Sequence, residues 1–329
     1  MKLVNIIVFF LYLLIVACSA KTESRQTPKT EEATIVSRVE FNADSAYRNV
    51  EAQVDFGPRV PGTEGHAHCA KYLVEELMRF GVDTVIEQKT TVTAYNGDKL
   101  PINNIMGQIN RDVAKRVLLL AHWDTRPWAD QEEDKEDRKK PILGANDGAS
   151  GVGVLLEIAR CLQNKKPLIG VDILFVDAED YGKMDGWGNN DKTWCLGTQY
   201  WIKNMPYSPH QLPIYGILLD MVGGKDAKFH REYSSQKIAS KIVDKVWAMA
   251  AASGYGDIFV NELGGSVIDD HVFVNQVKIP CIDIIESLNP VTNSFNPTWH
   301  TLDDNMSNIG RSSLKAVGQT VLNLIYQEK

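Results

Sequence analysis

Three stretches of consecutive apolar residues stand out along the chain, and each is bounded by charged or polar residues. Their sequences are KRVLLLAHWD (115–124), GVDILFVDAED (170–180) and YGILLDMVGG (215–224). Short apolar runs of this kind are typical of strands that are buried on both faces, as in a parallel sheet. We therefore predict an α/β fold, a three-layer sandwich with a central mixed, mostly parallel sheet flanked by helices.

The rest of the pattern alternates between helices and strands. The segment 43–56 is predicted to be a helix, and apolar positions spaced by three and four residues predict a second helix that ends at Gly81. Residues 84–95 have the alternating character of a strand, and the segment INNIMGQI is its expected partner. The run GANDGASG leads into a helix with Ser150 as its expected cap, and the last helix is predicted over 312–326.

The N-terminus has the pattern of a targeting segment. An apolar stretch of signal-peptide length follows the first two residues, so residues 1–17 are predicted to be a signal peptide. The tetrad IVAC, which ends at Cys18, resembles the bacterial lipobox and implies that this cysteine is lipidated after cleavage. The alternative is simple secretion after cleavage near Ala20, which would remove Cys18.

The residues after Cys18 predict a tether and one folded domain. Residues 18–36 are polar and poor in aromatic side chains, which suits a flexible linker. Residues 37–329 are predicted to form a single catalytic domain. We expect the protein to be anchored by lipid in a bacterial cell envelope, facing the periplasm or the exterior.

The composition is that of an ordinary folded domain. The 329 residues are 44% hydrophobic and 23% charged, so the chain can bury a substantial core. The formal net charge of -7 argues against a general nucleic-acid-binding protein, which would present a basic face. We expect a monomer with no nucleic-acid partner, which contacts the membrane only through a lipid anchor.

Four cysteines remain when Cys18 is set aside, and they are Cys69, Cys161, Cys195 and Cys281. No two of them have the spacing of a metal site. We predict buried, unpaired thiols, because a free cysteine often packs like a small apolar side chain. Disulfide pairing stays open at this point, because an extracytoplasmic chain can form it.

Five polar residues at strand ends or in short polar segments can bind zinc, and they are His122, Asp147, Asp180, Asp220 and His300. In open α/β sheets the ligand site lies beyond the carboxyl ends of the strands. Zinc accepts imidazole nitrogen and carboxylate oxygen as ligands. We therefore predict one metal site assembled from distant parts of the sequence, and hence an enzyme. Taken alone, Asp147 could instead cap the following helix, and His300 could be a surface histidine.

Several motifs occur in the order of a known family. FGPRVPGTEGH, HWD, NDGASG, AED and the late His300 resemble those of the zinc-dependent aminopeptidase family. Within that family, IDDHVFV, PTWHTLDDN and the loop GWGNNDKTWCLGTQYW look most like glutaminyl cyclases of bacterial type. The resemblance extends from about Val36 to the C-terminus.

The resemblance implies a role for several residues. In glutaminyl cyclases three positions bind a single zinc ion, and here they are Asp147, Asp180 and His300. Glu179, next to a ligand at a strand end, is expected to be the general acid and base. Asp220 and Asp269 are expected to form the hydrogen-bond network around the scissile amide.

The resemblance also implies the reaction. The α-amine of an N-terminal glutamine in a peptide or protein attacks its own γ-carbonyl, which gives pyroglutamate and ammonia. Trp299, next to His300, offers a flat wall for a small side chain. Ile268 and Trp187 are assigned to substrate binding with Trp299.

Two departures from the animal members of the family bear on this interpretation. Asp180 stands where they carry glutamate, so the ligand is one methylene shorter. Asp283 stands where they carry histidine, which changes the charge of the network and leaves the role of Asp283 open.

A two-zinc aminopeptidase is the main alternative. His122 and Asp220 would then hold a second ion with Asp147 as the bridge, and the two ions would activate a water molecule for hydrolysis. All the ligand types are present, so ligand identity alone does not separate the two activities. A non-catalytic binding protein derived from the same fold is disfavoured, because such a protein would be expected to have lost ligands.

Overall fold

The three apolar runs form the centre of one sheet in the computed structural model, which describes residues 39–184, 190–208 and 211–329. They are β3 (Arg116–His122), β4 (Gly170–Val176) and β5 (Gly216–Leu219), and every residue in them is buried. β3 pairs in parallel with β4 on one side and β5 on the other, and β5 pairs in parallel with β8 (Cys281–Ile284). The carboxyl ends of these four strands therefore meet at one edge of the sheet.

The other side of the sheet is antiparallel. β1 (Thr84–Thr93) pairs with β2 (Lys99–Ile109), and β2 pairs with β4. The strand order is β1-β2-β4-β3-β5-β8, so the sheet is mixed as predicted. β6 (Phe229–Arg231) and β7 (Phe259–Leu263) form a separate two-stranded parallel sheet.

Seven helices occur in the part of the chain that the structure describes. They are α1 (Ala43–Val54), α2 (Glu64–Arg79), α3 (Ala149–Asn164), α4 (Leu196–Trp201), α5 (Tyr233–Ala252), α6 (Asp270–Asn275) and α7 (Arg311–Gln327).

Alternate residues of the central strands face opposite layers. Leu119 and Phe175 lie in a large cluster with side chains from α1, α3 and α7. Leu118 and Leu174 lie in a second cluster with Trp201 of α4 and with α6. Because side chains alternate along a strand, the two clusters lie on opposite faces of the sheet. The predicted three-layer sandwich is confirmed.

The expected cap of α3 was wrong. The helix begins at Ala149 with Gly148 at the N-cap position, and Ser150 lies inside its first turn. The Ser150 hydroxyl donates to the Asn146 carbonyl at 2.5 Å and accepts from the Val222 backbone N–H at 3.0 Å. The serine was predicted from its N-cap preference, but its hydroxyl joins the start of α3 to the segment after β5.

All four cysteines of the described residues are buried and unpaired, which confirms that prediction. Cys69 lies in α2 and Cys161 in α3, whereas Cys195 lies at the start of α4 and Cys281 at the start of β8.

Some predictions fall outside the described residues. The signal peptide (1–17), the lipidated Cys18, the tether (18–36) and Trp187 all lie there and stay predictions. Within residues 39–184, 190–208 and 211–329, none of the helices has the length and apolar character that crossing a membrane requires.

Candidate metal centre and active site

Polar side chains gather where the parallel strands end. His122 is the last residue of β3, Asp177 follows β4 directly, and Asp220 follows β5. Because these strands run in the same direction, the three positions share one edge of the sheet. The sequence predicted this edge as the location of the site, and the structure places the remaining candidate residues around it.

The three residues predicted to bind zinc converge. One ligand atom each from Asp147, Asp180 and His300 lies within 4.8 Å of the other two, and all three residues are buried. His300 Nε2 lies 3.2 Å from Asp180 Oδ1 and 3.6 Å from Asp147 Oδ2. Asp180 Oδ2 is buried and has no hydrogen-bond partner among the described residues. The donor types, the spacing and this oxygen all fit a metal ion.

His300 is oriented by a carboxylate that the sequence did not reveal. Its Nδ1 lies 3.1 Å from Asp130 Oδ1. Arg126 donates to Asp130 Oδ2 at 2.6 and 3.0 Å, and to the Asp180 carbonyl oxygen at 2.9 Å. A carboxylate at Nδ1 keeps the proton on that nitrogen, so Nε2 presents its lone pair towards Asp147 and Asp180.

Asp147 is held by its backbone. The backbone N–H groups of Asn146 and Asp147 donate to the two carboxylate oxygens of Asp304 at 2.7 and 3.0 Å. Gly148 follows, and a Cβ at that position would lie 2.5 Å from Cε1 of His122. Glycine therefore lets the Asp147 turn approach the histidine at the end of β3.

Asp124 holds the two adjacent carboxylic residues of the AED motif. Its Oδ1 accepts from the Glu179 backbone N–H at 3.0 Å, and its Oδ2 accepts from the Asp180 backbone N–H at 3.2 Å. The preceding Ala178 has a φ of 50°, in the left-handed region that alanine rarely adopts. Asp180 joins the group with His300, whereas Glu179 joins a different group. The two adjacent side chains therefore belong to different clusters, Asp180 to the predicted zinc ligands and Glu179 to an acidic cluster.

A second group shares Asp147 with the first. It consists of His122, Asp147 and Asp220. His122 Nε2 lies 3.0 Å from Asp147 Oδ1 and 3.1 Å from Asp220 Oδ1. The residues that could hold a second ion, with Asp147 as the bridge, are therefore in place.

Glu179 lies in a buried acidic cluster. One ligand atom each of Glu179, Cys195 and Asp269 lies within 4.8 Å of the others. Burial raises the pKa of Glu179 well above its ordinary value, and the nearby Asp269 raises it further. Burial also raises the pKa of Asp269 to about 7 and that of Asp270 to about 8, with further contributions from neighbouring carboxylates.

Behind this cluster a buried histidine lies between two carboxylates. His271 Nε2 is 3.4 Å from Glu232, and His271 Nδ1 is 3.9 Å from Asp283. Asp283 belongs with Asp269 and His271 to one buried group. Burial strongly raises the pKa of Asp283, and the charge of Asp269 adds to this.

Glu232 is the exception among these acids, because its pKa is lowered. Burial alone would raise it, but His271 and the backbone N–H of Ser235 outweigh that effect and lower the pKa to about 2. Glu232 is the N-cap of α5 and accepts from the backbone N–H groups of Ser234, Ser235 and Val267 at 2.9, 2.5 and 3.0 Å.

A cavity of about 320 Å³ opens onto two of these groups: the predicted zinc ligands, and the acidic cluster that contains Glu179 and Asp269. Trp299, Ile268, Trp194 and Phe295 are among its lining residues, together with Glu179 and the predicted zinc ligands. The Trp299 ring stacks on the His300 ring with centroids 3.9 Å apart. Ile268 is 40% exposed, which places it at the mouth. The cavity is near the lower end of the range for small-molecule sites, so it suits a single side chain.

The candidates that the structure brings together at this cavity are Asp147, Asp180, Asp220, His300, Glu179, Asp269, Trp299 and Ile268. His122 does not line the cavity but contacts Asp147 and Asp220. Trp187 lies outside the described residues. Trp194 lines the cavity, whereas Trp201 packs in the core against Tyr207. Sequence patterns missed the supporting residues Asp130, Arg126, Asp304, Cys195 and Glu232. The only signal for Asp130 was its place in a long charged segment, which is often functional.

Comparisons with known proteins show what the chain is similar to. The family model described as peptidase family M28 matches residues 104–325. The crystal structure of Tannerella forsythia glutaminyl cyclase is 52% identical and covers 88% of this chain and 100% of its own, with a TM-score of 0.84.

Two further solved structures are comparably similar. Bacteroides thetaiotaomicron glutaminyl cyclase, bound to N-acetylhistamine, is 49% identical, covers 88% of this chain and 99% of its own, and has a TM-score of 0.85. A Zn-dependent exopeptidase from Parabacteroides distasonis is 50% identical, covers 88% and 99%, and has a TM-score of 0.84.

Proposed function

This chain belongs to peptidase family M28, and from that premise we propose that it is a zinc-dependent glutaminyl cyclase. It converts the N-terminal glutamine of peptides and proteins to pyroglutamate and releases ammonia. The observation that carries the proposal is the similarity to a glutaminyl cyclase at 52% identity over 88% of the chain. The small aromatic cavity beside Glu179 agrees with it, because it suits one side chain rather than a polypeptide segment.

Asp147, Asp180 and His300 would hold one zinc ion. Ligands about 2.0–2.2 Å from a tetrahedral ion lie roughly 3.3–3.6 Å from one another. The distances of 3.2 and 3.6 Å from His300 Nε2 to Asp180 and Asp147 are close to this spacing. When bound there, the ion acts as a Lewis acid on the γ-carbonyl of the glutamine.

Glu179 carries the proton of the reaction. A bond forms between the α-amine nitrogen and the side-chain carbonyl carbon (Cδ) of the same glutamine, and the bond from that carbon to the amide nitrogen breaks. Glu179 takes a proton from the attacking amine and returns it to the departing nitrogen, which leaves as ammonia. No water is consumed, and Glu179 ends in the protonation state in which it began.

Holding the substrate is the other contribution of the chain. Ring closure needs the neutral amine and the side-chain carbonyl carbon to lie close together, so a folded-back side chain has to be held in place. The stacked rings of Trp299 and His300 give the cavity a flat, rigid wall. Ile268 lies at the mouth, where the residue after the glutamine would leave the site.

The aminopeptidase alternative rests on His122 and Asp220. An exopeptidase name also occurs among the similar structures, at 50% identity. His122 Nε2 lies 3.0 and 3.1 Å from the oxygens of Asp147 and Asp220, close to the 3.2 Å between His300 Nε2 and Asp180. Distances of this size occur in both groups, so the preference for the cyclase rests on the similarity to glutaminyl cyclases.

Two substrates separate the activities directly. The purified protein is incubated with the dipeptide Gln-Ala and with leucine p-nitroanilide, while ammonia and nitroaniline are measured. We expect ammonia from Gln-Ala, together with a product lighter by one ammonia, and no nitroaniline. Ala-Gln is the matched control, because its glutamine has no free α-amine. Rapid release of nitroaniline without ammonia from Gln-Ala would replace the cyclase with the aminopeptidase.

The location of the enzyme is part of the proposal and rests on the sequence. A lipid on Cys18 would anchor the protein in a bacterial cell envelope, and the polar residues 18–36 would let the domain reach substrates. A monomer is sufficient for this chemistry, because the described residues of one chain supply the cavity and both clusters.

A further inference from the structure

The thiol of Cys195 lies against the proposed proton carrier. Cys195 is fully buried, and its Sγ is 3.3 Å from Glu179 Oε1, with the thiol as donor. Neither the zinc ligands nor the substrate wall includes this residue. The contact therefore leaves a group beside Glu179 that the mechanism above does not use.

The backbone fixes the position of this thiol. The N–H of Cys195 donates to the Glu179 carbonyl at 2.9 Å, and the next two residues continue the pairing, each at 2.9 Å, to Ala178 and Asp177. Cys195 adopts a φ of 55°, in the left-handed region that few side chains adopt readily. A non-glycine residue is held in this region only when its surroundings impose it. The backbone that carries the sulfur is therefore fixed relative to Glu179.

The surroundings also keep the proton on the sulfur. Burial raises the pKa of the Cys195 thiol well above its ordinary value, and the charges of Asp270 and Glu179 raise it further. A protonated thiol is a hydrogen-bond donor, although a weak one. It can therefore fix one oxygen of a carboxylate without competing for the proton that the carboxylate carries.

We propose that Cys195 is a positioning residue, whose thiol holds the Glu179 carboxylate in the orientation from which it takes and returns the proton. This inference rests on the proposed function in so far as Glu179 carries a proton there. It assigns no covalent chemistry to the sulfur. If Cys195 only filled space, any side chain of similar size would serve, and a hydrogen-bond donor would not matter.

The test compares Cys195→Ala with Cys195→Ser in the full-length protein loaded with zinc. We expect Cys195→Ala to lower kcat about five- to tenfold, as loss of one modest hydrogen bond predicts. The KM for Gln-Ala should change less than about twofold, because substrate contacts are untouched. Cys195→Ser should recover at least half of kcat, because the hydroxyl also donates.

Cys161→Ala is the matched control. Cys161 is another buried cysteine, and its thiol lies 3.5 Å from a carboxylate oxygen, that of Glu157 in α3, away from the cavity. It should lose stability much as Cys195→Ala does and keep its kcat. Zinc content and the thermal midpoint are measured for every variant.

Equal losses of kcat in Cys195→Ala and Cys195→Ser would overturn the proposal, and so would an unchanged kcat in Cys195→Ala. Failure of the proposed function would look different. The wild-type protein would then release no ammonia, whereas the comparison of variants could still be made with leucine p-nitroanilide, since Glu179 would also transfer the proton in hydrolysis.

Discussion

His300 and Asp130 form a buried pair in which Nδ1 of the histidine lies 3.1 Å from a carboxylate oxygen. The opposite nitrogen of the ring faces Asp147 and Asp180. Replacing Asp130 by alanine removes the group that fixes the tautomer and the ring orientation. We expect zinc affinity to fall about 10–100-fold, as measured by competition with a chelator.

A carboxylate elsewhere in the same loop is the control for Asp130. Asp137 pairs with the exposed Lys140 and does not reach the site. Asp137→Ala should leave zinc affinity unchanged. Equal affinities for Asp130→Ala and wild type would show that the histidine does not need this partner.

The number of zinc ions is a separate prediction. The wild-type domain should contain one tightly bound zinc per chain by elemental analysis, and His300→Ala should lose it because one of three ligands is gone. His122→Ala should keep its zinc, since His122 belongs to the other group. Two fully occupied metal positions in the wild type, one of them lost in His122→Ala, would favour the aminopeptidase.

Glu179→Gln isolates proton transfer from metal binding. The amide has nearly the same size as the carboxylate, and Glu179 is outside the group that contains His300. We expect full zinc content and a loss of turnover on the order of a hundredfold or more. The measurement is ammonia release from Gln-Ala, normalised to zinc. A variant as active as wild type would remove Glu179 from its assigned role.

The parts of the site that the sequence predicted are those tied to regular structure. His122 and Asp220 were found because each stands where an apolar run ends, and the parallel pairing of those runs then brings them together. Asp147 and His300 were also candidates, but only the family resemblance favoured a ligand over a helix cap or a surface histidine, because their loops have no periodic pattern. The fold class followed from the same apolar runs, which specify burial on both faces.

The supporting residues could not be found this way. Asp130 meets His300 across 170 positions of sequence, and Asp304 meets Asp147 across 157. Such pairs depend on how two irregular loops lie against each other, and local spacing carries no information about that. The same holds for Ser150, whose expected capping role was replaced by a contact with Val222.

Glu232 gives a prediction about stability and pH. Its folded pKa of about 2 lies below the ordinary value of 4.5, so the charged form stabilises the folded state. That contribution, on the order of 3 kcal/mol, is present above about pH 4.5 and is lost as the pH falls towards 2. Glu232→Gln should lower the free energy of unfolding by about this amount at pH 7, and the difference from wild type should shrink on acidification.

Urea unfolding between about pH 3 and 7 measures the difference. Glu262→Gln, which changes an exposed carboxylate in β7, is the control and should match wild type at every pH. A difference between Glu232→Gln and wild type that stays constant with pH would mean that the ionised form of Glu232 is not what stabilises α5.

Cys18 tests the proposed location. If the tetrad IVAC directs lipidation, then Cys18→Ser should abolish labelling with a radioactive or clickable fatty acid and move the protein out of the membrane fraction. The activity of the released domain on Gln-Ala should be unchanged, because the residues around the cavity lie far along the chain from Cys18. An unmodified wild-type protein that begins after Ala20 would contradict the lipid anchor.

The carboxylate of Asp124 holds the backbone of both Glu179 and Asp180. Displacing either residue therefore disturbs the other, and a substitution at position 124 reaches both of their tasks at once. The two clusters therefore have one shared support, and their geometry cannot be altered independently at this point of the chain.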